Sequence, residues 1–192
     1  MKQGLLALVA AAVISAAPAA HASVINFNNP GLIDINGNTA TYTEAGYKIT
    51  GQAADFLLLD NGAGNGFLVG GFLGAQYFSL MSDTGAAFSL NSLNYDYFDL
   101  GDPAGILTVS GLLAGVQTVS TSFNLGGGAG LRTATFTGLW RNVSEVRFSA
   151  TSGFILDNIN AVPEPGSLAL AAAALMALVM SGGARRTLKA SD

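Results

Sequence analysis

Carboxylates and aromatic rings are the side chains of this sequence that could do chemistry. Tyr95-Asp96-Tyr97-Phe98-Asp99-Leu100-Gly101-Asp102 packs three acids into eight residues. A glycosidase needs two carboxylates at a set separation, one as acid and one as base or nucleophile. Calcium takes several oxygen ligands, carboxylates foremost. The same spacing also suits a solvated turn ahead of Pro103, in which Asp99 or Asp102 accepts nearby backbone amides. The second acid is Asp157, in Gly153-Phe154-Ile155-Leu156-Asp157-Asn158-Ile159. On a regular strand it shares a face with Ile155 and Ile159, and a buried carboxylate needs a partner. Backbone amides or an arginine such as Arg147 would serve.

A flat ring stacks on the apolar face of a pyranose while polar neighbours bind its hydroxyls. Trp140, the single tryptophan, and Tyr95 and Tyr97 are the candidate platforms, with Tyr77 a further one. The alternative for a lone tryptophan is the core. The glycine clusters 61–66 and 126–130 lack the following helix and the lysine of a phosphate loop and read as β-loops.

Composition narrows the chemistry. The chain has 192 residues, no cysteine, 10% charged residues and a formal charge of -4. Globular proteins usually carry ~25% charged residues, so this one is unusually uncharged. No basic patch exists to neutralise phosphates, which argues against nucleic acid as a partner. Disulfides and thiolate chemistry are excluded.

Both ends read as addresses. Lys2, an apolar run from Leu5 to Ala17 and the small-x-small site Ala20-His21-Ala22 form a secretory signal peptide over 1–22; Ala17-Pro18-Ala19 is an alternative cleavage site. Removal after Ala22 takes away the only histidine. The remaining chain could then run neither a Ser-His-Asp nor a Cys-His mechanism, nor bind a metal through histidine. At the other end, Val162-Pro163-Glu164-Pro165 precedes a wholly apolar run from Leu168 to Met180, then Arg185 and Arg186. Residues 165–184 are uncharged and long enough as a helix, about 167–184, to cross one hydrocarbon core. The basic residues beyond it put the tail in the cytoplasm and the main domain outside.

This tail resembles the PEP-CTERM sorting signal of Gram-negative bacteria: a Pro-Glu-Pro motif, a short membrane helix and an arginine cluster. The resemblance covers about thirty residues (162–192). It implies that Pro163, Glu164, Pro165, Arg185 and Arg186 are read as substrate by an exosortase, a membrane transpeptidase, after signal peptidase has acted. The alternative is a permanent C-terminal anchor.

Between the ends, 23–161 forms the domain. Residues 23–162 carry ten acidic and four basic side chains. Short runs rich in β-branched and aromatic residues recur between Gly, Asn and Asp, and no stretch has the helical period. Ten or eleven strands are expected, with Leu107–Leu112 and Val116–Phe123 flanking a turn at Ala114-Gly115. The spacing predicts an all-β, two-sheet antiparallel sandwich of jelly-roll type, with a closed barrel as runner-up. The ending Phe154-Ile155-Leu156-Asp157-Asn158-Ile159 is similar to the last strand of jelly-roll domains, carbohydrate-binding modules included. That resemblance implies a structural calcium at Asp157 beside the first strand, near Asn26 or Asn28.

The expected function is an exported, non-catalytic cell-surface or extracellular-matrix protein, sorted through the inner membrane and associated with exopolysaccharide or biofilm. The alternative is a calcium-assisted carbohydrate-binding module. A secreted glycoside hydrolase is disfavoured, because it has only the weak carboxylate pair and no histidine.

Overall fold

The computed structural model describes residues 22–29, 32–60, 65–71, 77–99, 101, 103–126 and 130–164. Residues 1–21 of the signal peptide, most of both glycine clusters, Asp102, Pro165, the apolar C-terminal run, Arg185 and Arg186 lie outside the described residues. No helix among the described residues is long and apolar enough to cross a membrane.

The described domain is all-β, with two antiparallel sheets. Its strands are β1 (Ser23–Ile25), β2 (Ile33–Asn36), β3 (Thr39–Glu44), β4 (Tyr47–Gln52), β5 (Leu57–Asp60), β6 (Gly66–Gly70), β7 (Tyr77–Ser82), β8 (Phe88–Tyr97), β9 (Ile106–Leu113), β10 (Val116–Asn124), β11 (Arg132–Thr135), β12 (Glu145–Ala150) and β13 (Phe154–Pro163). One sheet runs β11-β8-β13-β6-β5, with β1 also paired to β13; the other runs β10-β9-β12-β7-β4-β3-β2.

Alternation explains most of these strands. In β12, Val146, Phe148 and Ala150 point inward while Glu145, Arg147 and Ser149 face out. The β9–β10 hairpin turns at Ala114-Gly115 as expected, both at positive φ (51° and 81°). The hairpin β2–β3 was not anticipated. Its signal is the two-residue turn Gly37-Asn38, closed by the Asn36–Thr39 pair, with Gly37 at φ 59° between two alternating runs. Strand β8 runs unbroken for ten residues, with Ser92 paired to both Thr135 and Asn160 and Asn91 at a bulge in the β13 ladder.

The core lies between the sheets. Phe78 of the seven-stranded sheet meets Phe154 of the six-stranded sheet edge to face, with ring centroids 5.6 Å apart. Two glycines make room for it. A Cβ on Gly70 would stand 2.2 Å from the Phe78 ring, and one on Gly51 2.6 Å from it.

Strand β13 sits at the centre of its sheet. It pairs along one edge with β8 and along the other with β6 (Phe154–Leu156) and then β1 (Ile159–Ala161). A bulge between Asp157 and Asn160, with Asn158 at φ 47°, marks the change of neighbour. It also changes parity. Phe154 and Leu156 are buried before it, and Ile159 and Ala161 after it. The regular alternation expected for this strand, with Ile159 facing away from Leu156, is therefore corrected: the extra residue returns Ile159 to the core. The strand continues through Val162 and Pro163.

Candidate functional site

The platform expectation fails for two of its rings. Trp140 is only 6% exposed and Tyr95 only 8%, so neither can offer a face to a sugar. Both belong to one file of rings. Trp140 lies against Phe136 (4.6 Å between centroids), Phe136 against Phe123 (6.1 Å) and Phe123 against Tyr95 (5.1 Å), with the Arg132 guanidinium over the Tyr95 ring at 4.7 Å. Tyr97 is half-buried, packs against the core and donates its hydroxyl to Asp99 Oδ1 at 3.3 Å. The same Oδ1 accepts the Gly101 amide at 2.8 Å. That is the turn reading of Asp99. Asp99 lies beyond Tyr97, which faces Phe154, whereas Asp157 faces Asn94 further along the ladder. Of the three acids that are metal candidates, Asp99 and Asp157 are thus not brought together, and Asp102 lies outside the described residues.

Asp157 is fully buried at the bulge. Its Oδ1 accepts the Asn158 amide at 2.6 Å, and its Oδ2 accepts the Asn158 side-chain amide at 3.0 Å. Backbone amide acceptance is the partner found. The arginine alternative is corrected, because Arg147 is committed to Glu145 on the other sheet. Burial pushes the Asp157 carboxyl above its ordinary value; the Asn158 amide opposes this and the charge of Glu44 adds to it. Glu44 is a residue the sequence reading missed. Its Oε2 accepts the amides of Asn26 (2.9 Å) and Phe27 (3.1 Å) and the Tyr42 hydroxyl (3.1 Å). Asn28 Oδ1 in turn accepts the Gly66 amide at 2.7 Å. The charge of Glu44 acts on Asp157, and Glu44 anchors the 26–28 segment, so these two carboxylates are the residues present that could take part in the calcium site expected there. No cluster of three or more His, Cys, Asp or Glu occurs among the described residues, so backbone or amide oxygens would have to complete the shell.

The sign of the pH effect follows. Asp157 holds its proton more tightly folded than unfolded. Its contribution to stability is therefore full at acid pH and is lost as pH rises through its folded-state value. Asp157→Asn removes the titration but leaves one side-chain position a donor where an acceptor is used, so in chelator its melting midpoint should vary less with pH than that of wild type. If calcium binds there, wild type gains midpoint on calcium addition and Asp157→Asn does not. Thermal melts of both proteins, in calcium and in chelator, measure each effect.

The outer face of the seven-stranded sheet carries a different constellation. The registers align Asp34, Thr41, Thr50, Ser79, Arg147, Ser110 and Ser120 in one transverse row across the sheet. Adjacent hydroxyls touch: Thr41 with Thr50 at 3.4 Å, Ser110 with Ser120 at 3.1 Å, and Thr108 with Ser122 at 3.1 Å. An open groove of about 700 Å³ runs along this face, lined among others by Thr39, Thr50, Gln52, Tyr77, Ser79 and Glu145. Tyr77 is 46% exposed, and the Arg147 guanidinium stacks on its ring at 4.4 Å. Arg147 Nε donates to Glu145 Oε1 at 2.7 Å, and the Ser79 hydroxyl donates to the same oxygen at 2.8 Å. Burial alone would raise the Glu145 carboxyl, but these hydrogen bonds and the Arg147 charge outweigh it and hold it below its ordinary value. An ionised carboxylate that accepts three hydrogen bonds is a fixed acceptor and a poor proton donor.

The groove thus offers a ring, hydroxyls, an amide and a positioned ion pair on rigid strands. Tyr77 was a secondary candidate in the sequence, and Glu145, Thr50 and Gln52 were not singled out. The alternation of Tyr77-Phe78-Ser79 marks outward residues, but which other strands stand beside them is not local information. No protein-family model matches the chain, and no curated protein matches it significantly.

Proposed function

We propose that this is an exported, non-catalytic surface or matrix protein whose C-terminal tail is a sorting signal. One observation carries the reading: the ordered order of motif, 20-residue uncharged run and arginine pair over 163–186. The last strand of the folded domain leads straight into that motif, ending at Pro163. The signal-type N-terminus supports export, and its removal would leave no histidine for catalysis. The sandwich is of jelly-roll type in this reading, with its last strand central and its first strand paired to it. Fractionation of the producing cell tests the reading. The protein should be recovered outside the cytoplasmic membrane, with Ser23 as its first residue and a mass lacking the apolar tail. Recovery in the cytoplasm with both ends intact overturns it.

The groove favours a second reading on the same exported domain, a carbohydrate-binding module. Uncharged hydroxyls and amides around one exposed ring suit an extended, hydroxyl-rich chain. In this reading a calcium ion held by Asp157 and Glu44 would tie the 26–28 segment to β13 as a structural element. Co-sedimentation with the exopolysaccharide of the producing cell should be saturable, and Tyr77→Ala should weaken it about tenfold, since stacking and its shielded hydrogen bonds contribute about 1–3 kcal/mol. Equal binding by wild type and Tyr77→Ala removes the groove from consideration.

A further inference from the structure

We propose that the folded sandwich holds the glutamate of its own sorting motif, and that release from this hold limits how fast the motif is recognised. The proposal rests on the sorting reading above and adds a regulation to it.

The geometry is local and complete. Pro163 is still paired, opposite Phe88, at the end of the β8–β13 ladder. The Glu164 amide then donates to the Ala87 carbonyl at 3.1 Å. The Glu164 carboxylate turns back onto the domain. Its Oε1 accepts the Ser89 hydroxyl and, at 3.1 Å, the Asn142 amide. These two donors come from segments far apart in sequence, and reciprocal backbone bonds between Phe88 and Val143, 2.8 and 2.9 Å long, hold them in register. Asn142 lies at φ 58°, a left-handed conformation, immediately before that bridge. Glu164 is therefore bonded through both its backbone and its side chain.

A processing enzyme that reads Pro163-Glu164-Pro165 needs the same groups. It must take the strand in extended form and meet the glutamate side chain. While Glu164 is docked, its carboxylate is already shared by two donors and its amide by one. Apparent affinity for the motif is then reduced by the fraction of molecules in which the end of β13 is released. The gated event is recognition; the bond-breaking chemistry belongs to the processing enzyme. Hydrogen bonds to a charged group are the stronger kind, and losing one corresponds to about a tenfold change in the docking equilibrium.

The test uses the full chain. Ser89→Ala removes one donor from a half-buried strand position, and Ser89→Thr keeps the hydroxyl. In pulse-chase in the producing cell, Ser89→Ala should be shortened about tenfold faster than wild type, and Ser89→Thr at the wild-type rate. In detergent solution, amide hydrogen exchange over 161–164 should be about tenfold faster in Ser89→Ala. Unchanged exchange overturns the docking. Faster exchange with unchanged or slower shortening overturns the gate. Replacing Pro163, Glu164 and Pro165 together by alanine separates the two layers. If that variant is still shortened normally, or wild type is never shortened, the sorting reading itself fails. If it is blocked while Ser89→Ala matches wild type, only the gate fails.

Discussion

Gly66→Ala is expected to cost more than about 3 kcal/mol and to lower the melting midpoint by roughly 10 °C, or to prevent folding altogether. The reason is a backbone collision. A Cβ at this position would stand 1.9 Å from the Phe27 carbonyl oxygen and 2.6 Å from its carbon. Neither atom belongs to a flexible side chain. Relief requires moving the 26–28 segment, and that segment is tied on every side. Asn28 Oδ1 takes the Gly66 amide, and Glu44 takes the amides of Asn26 and Phe27. The Phe27 ring is buried against Tyr42, 5.2 Å between centroids. Gly46→Ala is the control. Nothing lies within 4 Å of its added Cβ, and only the cost of a positive φ of 82° remains, about 1 kcal/mol. Urea unfolding of both variants decides the matter. Similar midpoints would show that the close approach at Gly66 is absent in solution.

Phe78→Ala is expected to cost about 3–5 kcal/mol, the usual loss for a fully buried phenylalanine. Its ring is 1% exposed, lies 5.5 Å from Phe56 and 5.6 Å from Phe154, and is seated between Gly51 and Gly70. Those glycines have no side chain with which to fill the cavity, so the site can collapse little. The neighbouring substitution should behave in the opposite way. Tyr77 faces outward on the same strand, and its removal should change stability by less than about 1 kcal/mol while weakening glycan binding. Denaturant melts and co-sedimentation on the two variants give a double dissociation. A large stability loss in Tyr77→Ala would mean that its ring is structural and that the groove is not a binding face.

The fold was legible to a useful depth. Alternation in Glu145–Ala150 and the turn Ala114-Gly115 identify strands without tertiary information, because side-chain period and positive φ are local properties. The candidate site was less legible. Trp140 and Tyr95 look like platforms because an aromatic residue beside polar ones suits a surface as well as a core edge. Their burial depends on Phe123, which arrives on β10, and on Phe136, in the link between β11 and Trp140. Asp157 was identified as an acid in need of a partner, and it found one in Asn158. Glu44 escaped notice because a lone glutamate at a strand end usually faces solvent. Only the return of β1 alongside β13 puts two amides in front of it.

By itself the sequence determined the class of the domain, the sparse charge of its surface, the absence of thiol chemistry and the order of motif, apolar run and basic residues at the C-terminus. These depend on composition and on spacings of a few residues. Tertiary structure decided the rest. It aligned single polar residues from seven strands into one row, placed the amides of Asn26 and Phe27 on Glu44, and brought Ser89 and Asn142 to Glu164. Each of these is a contact between segments distant along the chain. Sheet register creates such contacts, and register is set by the packing of the whole core and not by any one strand.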